Sequence, residues 1–384
     1  MNERIKQVRT HQIALTIDRG VDLKFWSSTG FRRISHLVVV ELETDRGEVG
    51  IGEVTPAPRW SGETQSTAAA VIREIFTPLL IDKSVYELSA IMAKIDNSII
   101  GFPYTKAAIE MGLLDLMGKR LGVPVYALIG GPVRTLEVPV RFPIVPLEPE
   151  RAAELARDVV SRGCSMLKLK VGRGSLADDI SRISAVREAV GPEVRLTVDA
   201  NGHWTVPQAI RASNALAKEG AILVEQPVER SDIAGMAEVR SKIGIPVMAD
   251  ESVFTVRETV RVIYERAADV ISLSPGKNGG IRRSMAISEV ARSFGVSCTV
   301  GSNMEGQIAS SAMGHLAVSS PASGVHSWHT DLIGPLFHSE SVVKNVLQAS
   351  ANVVRIPDQP GLGVLLDKER LKCACAREQA MRGQ

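Results

Sequence analysis

The chain has 384 residues, more than one typical domain holds and enough for two, with 45% hydrophobic and 23% charged residues and a formal net charge of +2. That balance excludes the strongly basic field that nucleic acid or a membrane surface would call for. The start is polar and charged, and no run of about 18 apolar residues follows anywhere, so a soluble, non-secreted protein is expected.

In chain order, residues 5–16 and 36–52 read as strands, with the alternating, β-branched HLVVVELET followed by a DRGEVG hairpin turn. Segments 64–80, 86–97 and 104–121 have helical spacing. Strands followed by helices predict an α+β unit over 1–132, closed by Gly130, Gly131 and Pro132. From about 136 the pattern changes. VPVRFP (138–143), SMLKLK (165–170) and VRLTVD (194–199) each precede a helical stretch, near 148–162, 175–190 and 206–219. AILVEQ (221–226), IPVMAD (245–250), VISLSP (270–275) and VSCTVG (296–301) continue the series, with a fainter eighth strand near 324–328. Strand–helix units repeating every 25–30 residues or so imply parallel strands with right-handed crossovers. Seven or eight of them predict a closed α/β barrel over 133–354. The tail from about 355 is expected to return to the first unit. No glycine-rich dinucleotide loop appears.

Cys164 and Cys298 sit in apolar surroundings, where a small buried thiol belongs. Cys373 and Cys375 lie in the polar tail with no second Cys/His pair to complete a zinc site. So few thiols suit a reducing cytoplasm.

A parallel barrel works at the C-terminal ends of its strands. Lys168 and Lys170 close the second strand, two residues apart and therefore on one face. Asp199 closes the third and is followed by Asn201; Glu225 closes the fourth; Asp250 and Glu251 close the fifth. Lys277 follows the sixth strand and Glu305 the seventh. Asp199, Glu225 and Asp250 recur at one strand–helix unit each, so all three face one mouth. Like charges gathered there resist ionising together unless a cation neutralises them. A hard divalent ion, Mg²⁺ or Mn²⁺, fits oxygen ligands and keeps positions for a carboxylate substrate. Lysines on opposite sides of such a site predict proton transfer beside a carboxylate, because neighbouring cations lower a lysine's pKa and free an amine as base.

These strings resemble the muconate lactonizing enzyme subgroup of the enolase superfamily. The resemblance rests on KLK at 168–170, VDANGHW at 198–204, VEQPV at 224–228, ADES at 249–252 and GKNGGI at 276–281. GSNMEGQI at 301–308, TDLIGPLF at 330–337 and GIGE at 50–53 also fit. It implies a (β/α)7β TIM-like barrel under an N-terminal α+β capping domain, and a Lys–metal–Lys site in a homo-oligomer. It implies Asp199, Glu225 and Asp250 as metal ligands and Lys170 and Lys277 as acid–base groups. Lys168 becomes an electrostatic partner of the bound carboxylate, and Asn201, Glu251 and Glu305 become orienting groups. The histidine that mandelate racemase-like and sugar-acid dehydratase branches use after the seventh strand is absent from SCTVGSN. His329 is left as a candidate substrate contact.

One such site supports several reactions. TDLIGPLF resembles the string of muconate enzymes and lacks the Asp-X-Asp with which dipeptide epimerases hold an α-ammonium. Muconate cycloisomerisation, in aromatic catabolism, is therefore the expectation. Racemisation or epimerisation of N-acyl amino acids or dipeptides, and dehydration, are the alternatives. A non-catalytic barrel would have lost a ligand or a lysine, and none is missing. Segments 22–33 and 54–63 are expected over the mouth, where specificity resides. Trp26, Phe31 and Trp60 would supply apolar walls there, and Arg32, Arg33 or Arg59 would meet a distal carboxylate.

Overall fold

The computed structural model describes residues 3–17, 25–27, 30–322 and 324–382. Residues 22–24 and 28–29 of the expected 22–33 lid, and the side chains of Trp26, Phe31 and Arg32, lie outside what is described.

The N-terminal unit is a three-stranded antiparallel sheet of Ile5–Thr16, Ile34–Thr44 and Val49–Val54, with the second strand central. Three helical segments follow, as the spacing predicts. The first is not regular: Gln65–Val71 passes through a wider π turn, Ile72–Phe76, before Thr77–Leu80. The amide of Thr77 donates five residues back to Ile72 O, just ahead of Pro78, whose ring has no N–H and crowds a tighter turn. Helix Pro103–Leu121 lies almost in contact with the third strand. A Cβ on Gly52 would fall 1.9 Å from Ala108 O, so the GIGE string is a packing requirement of this helix–sheet contact.

The barrel has seven parallel strands in sequential order: Phe142–Ile144, Met166–Lys170, Arg195–Asp199, Ala221–Glu225, Val247–Ala249, Val270–Leu273 and Ser297–Val300. Two expectations change here. VPVRFP is not one strand: Glu137–Pro139 joins a small antiparallel sheet with Val353–Arg355, and only Phe142–Ile144 enters the barrel. The eighth strand is not at 324–328, where Val325–Trp328 forms a helical turn. Closure comes a few residues later. Thr330 accepts from Arg141 N and donates to Pro139 O, and Asp331 N donates 2.8 Å to Val300 O. This short bridge joins the first and seventh strands and places Asp331 at the mouth.

The tail ends in the helix Lys368–Arg382, packed on the strand Ile5–Thr16. Glu378 Oε2 meets His36 Nδ1 at 2.6 Å, and Lys368 pairs with the buried Glu41. Cys164 and Cys298 are buried, and Cys373 is exposed on this last helix. No helix among the described residues is long and apolar enough to cross a membrane.

The fold predicts an acid limb of its own. His315 is fully buried, and its Nδ1 accepts from Tyr126 N at 3.2 Å while Nε2 faces Leu362 O at 3.3 Å. That pairing suits a neutral ring, and burial pushes its pKa down to about 4. An unfolded histidine titrates near 6.5, so between those values the unfolded chain binds the extra proton. The stability contribution is complete above about 6.5 and is lost as pH falls towards 4, by roughly 3 kcal/mol. Urea midpoints at pH 7.5 and 4.5 should therefore diverge more in the wild type than in His315→Gln. An equal drop would remove His315 as the cause.

Candidate active site

The register of the parallel strands sets the mouth. Lys170 pairs with Asp199, and Asp199 with Glu225, so residues from three successive strands stand at one height. Lys168, Lys170, Asp199, Asn201, Glu225 and Asp250 line one cavity, with Trp60 from the cap above them. All six are polar or charged, yet Asp199, Glu225 and Lys168 are at most 5% exposed.

Such burial requires pairing. Lys168 Nζ lies 2.5 Å from Asp331 Oδ2, 3.3 Å from Glu225 Oε2 and 3.5 Å from Asp199 Oδ2. Burial alone would lower its pKa; Asp331 and Glu225 outweigh that and raise it, so Lys168 is a fixed cation. Lys170 Nζ donates to Asp199 Oδ2 at 2.5 Å and Asn201 Oδ1 at 3.0 Å. Across the barrel, Lys277 is wholly buried, and its Nζ meets Asp250 Oδ1 at 2.6 Å, Asp250 O at 2.6 Å and Ser272 O at 2.9 Å. Lys277 lies in the short helix Pro275–Asn278, with Phe254 beside its ammonium. Asn201 takes a left-handed turn (φ 44°), which asparagine tolerates, and its Nδ2 holds Glu251 Oε1 at 2.9 Å.

Two members of the cluster are absent from the sequence-based set. Arg141 is fully buried and clamps Asp331 through Nε (2.6 Å) and Nη2 (2.9 Å), while Nη2 also reaches Glu225 Oε2 at 3.0 Å. The signal for Arg141 was a lone arginine inside the otherwise apolar VPVRFP string, which demands a buried counter-ion. Asp331 stands in the quoted TDLIGPLF string but follows a strand expected too early. Removing Asp331 strands a buried guanidinium, so Asp331→Ala should destabilise the fold by about 3–5 kcal/mol. Urea unfolding reads this; a midpoint equal to wild type would mean that Arg141 is not dependent on its clamp.

Other expected residues are placed differently. Glu305 does not line this cavity: it accepts twice from Asn303 N at 2.9 Å and braces the loop Ser302–Met304, which does. Arg59 is exposed on the turn Pro58–Ser61 and lines neither this cavity nor the larger one beside it. His329 is buried against Arg195 Nη2 and Val140 O, away from the cavity wall.

The charges leave a deficit. Burial pushes Glu225 up to about 7 despite Lys168, and pushes Glu251 up to about 8 with Asp250 and Asp199 adding to the effect. Glu251 Oε2 is buried without a hydrogen-bond partner. As the side chains stand, no three described His, Cys, Asp or Glu residues converge closely enough to hold a metal, because ammonium groups stand among the carboxylates. The donor set itself, hard oxygens on successive strands with surplus negative charge, suits a hard divalent cation.

Residues 151–370 match the family model described as enolase C-terminal domain-like. Residues 19–130 match the mandelate racemase/muconate lactonizing enzyme N-terminal domain. The chain belongs to the enolase superfamily, in its muconate lactonizing enzyme subgroup. Like its relatives, this superfamily member is an isomerase. It is similar to the L-Ala-D/L-Glu epimerase of Clostridium acetobutylicum, 35% identical over 350 residues, 90% of this chain and 96% of that one. It resembles the N-succinyl-L-Arg/Lys racemase of Bacillus cereus at 34% identity, over 87% of this chain and 89% of the relative. The solved structure of that racemase superimposes with a TM-score of 0.91 at 32% identity, covering 97% and 98% of the two chains. The 2-chloromuconate cycloisomerase of Rhodococcus opacus gives 0.90 at 28% identity, covering 97% and 99%. The fold is thus shared by enzymes of different overall reactions.

Proposed function

We propose that this superfamily member moves a proton at the carbon next to a carboxylate and racemises or epimerises an N-acylated amino acid, with Lys170 and Lys277 as its two acid–base groups. The observation that carries this reading is the pair of amines, the half-buried Lys170 at the end of the second strand and the wholly buried Lys277 beyond the sixth, each within 2.6 Å of a mouth carboxylate. Racemisation needs a proton removed on one face and returned on the other, whereas cycloisomerisation needs one donor. Asp199, Glu225 and Asp250 would hold a divalent cation, Mg²⁺ or Mn²⁺, which when bound supplies positive charge for the developing enolate oxygen. Lys168 holds a permanent positive charge beside Asp199 and Glu225. Asn201 orients Lys170 and Glu251 together. Trp60 covers the mouth and excludes water.

An apolar side chain stands where the second carboxylate of an Asp-X-Asp would be. Ile333 lines the cavity two residues beyond Asp331, and Asp331 is committed to Arg141 and Lys168. This disfavours a dipeptide with a free amine and favours a capped nitrogen. The relatedness to an N-succinyl amino acid racemase supports the same class. Muconate cycloisomerisation is the second reading, favoured by the TDLIGPLF string. One assay separates them: N-acyl amino acids, dipeptides, hydroxyproline-type acids and cis,cis-muconate, each with Mg²⁺ in D₂O. Loss of the α-proton signal from N-acyl amino acids is expected. Lactone formation from muconate without α-exchange would transfer the assignment to the second reading.

A further inference from the structure

A second, larger cavity adjoins the mouth. Its volume is about 560 Å³, against about 30 Å³ at the mouth, and it lies between Gly101–Lys106 of the cap and the loops after the fourth, fifth and sixth strands. Trp60 lines both cavities, so its side chain stands between them. Lys277 and Glu251 stand in the wall of the larger one, so it lies against the groups proposed for proton transfer.

Its charges are unequal in their freedom. Arg283 is paired with Asp96, and Lys106 donates to Ile99 O and lies 3.6 Å from the same aspartate. Lys277 is held by Asp250. Glu258 spends one carboxylate oxygen on the amides of Phe254 and Thr255, capping the helix Val256–Tyr264. Two guanidiniums remain. Arg230 donates to a neutral acceptor, Trp60 O at 2.7 Å, and lies over the Phe254 ring. Arg261 is exposed and carries no side-chain hydrogen bond or ion pair among the described residues. Two arginines line one chamber, and neither is paired with a carboxylate among the described residues, so each offers guanidinium donors suited to a carboxylate.

We infer that this chamber receives the remote end of the substrate, and that this end is anionic: an N-acyl group terminating in a carboxylate, held by Arg230 and Arg261 beyond Trp60. The inference rests on the proposed reaction class but names a different part of the substrate and different residues from those of proton transfer. It also moves the distal anion site away from the cap-loop arginines, since Arg59 does not line the chamber.

N-Succinylglycine and N-acetylglycine differ in that second carboxylate and neither has a stereocentre. Their dissociation constants, measured by calorimetry on the Mg²⁺-supplemented full chain, test the chamber. The α-proton exchange of N-succinylglycine in D₂O tests the reaction separately. Wild type should bind the dianion at least about tenfold more tightly. Arg261→Met should reduce that preference to about twofold or less, while Arg261→Lys, which keeps the charge, should retain most of it. Arg261 sits on an exposed helix face, so neither substitution disturbs the core. Equal affinity of wild type for both probes would overturn the inference, as would an undiminished preference in Arg261→Met. A preference for the dianion without α-exchange would leave the chamber standing and overturn the reaction class instead.

Discussion

Lys170→Met and Lys277→Met should each lower racemisation by about 10³-fold, within the range that positioned acid–base groups contribute, yet each should keep half of the exchange chemistry. With Lys277 removed, Lys170 still reaches the α-carbon from its own face, so one enantiomer continues to exchange its α-proton with D₂O. With Lys170 removed, the other does. Methionine keeps most of the volume of the lysine stem, which matters because Lys277 is fully enclosed. Lys277→Met also leaves Asp250 Oδ1 without its 2.6 Å donor, so its folding should be checked by circular dichroism before exchange is read. Complementary, enantiomer-specific exchange establishes the two-base arrangement. If one variant is silent towards both enantiomers while the other exchanges both, the two lysines do not serve opposite faces, and single-donor chemistry takes its place.

Glu225→Gln should abolish turnover while preserving shape. The side chain stays isosteric and can still accept from Arg141, but the site loses one of the three negative charges that face a cation. Electrophilic stabilisation by a metal is worth several kcal/mol, so at least about a hundredfold loss in kcat/KM is expected. Calorimetric Mg²⁺ binding should weaken in parallel. Glu225 is 1% exposed and faces both Arg141 and Lys168, so folding of the variant should be checked by circular dichroism before turnover is read. An enzyme indifferent to both this substitution and EDTA would dismiss the divalent cation altogether.

Much of this molecule can be read from local pattern. Alternation and spacing place the cap strands, its three helices and seven barrel strands, because each is a segment whose apolar face has to be buried whatever surrounds it. Acids at three successive strand ends, and two lysines two residues apart, declare a charged mouth by the same arithmetic, since residues at strand ends in a parallel barrel must share one rim. What the pattern could not show are contacts between distant parts of the chain. Arg141 and Asp331 are 190 residues apart and meet only because the barrel closes, through a bridge at Thr330 too short to leave a periodic signal. Glu305 looks like a mouth carboxylate in one dimension, but a turn aims it back onto the amide of Asn303. The chamber behind Trp60 is joined from residues between 60 and 283, and the freedom of Arg261 follows from what its neighbours are already paired with. Sequence alone therefore determined the family, the barrel and the charged residues at its strand ends, which depend on residue type and spacing. Tertiary structure alone decided which buried charges are spent on one another and which stay available to a substrate, because Coulomb pairing depends on distance in space and burial sets its strength.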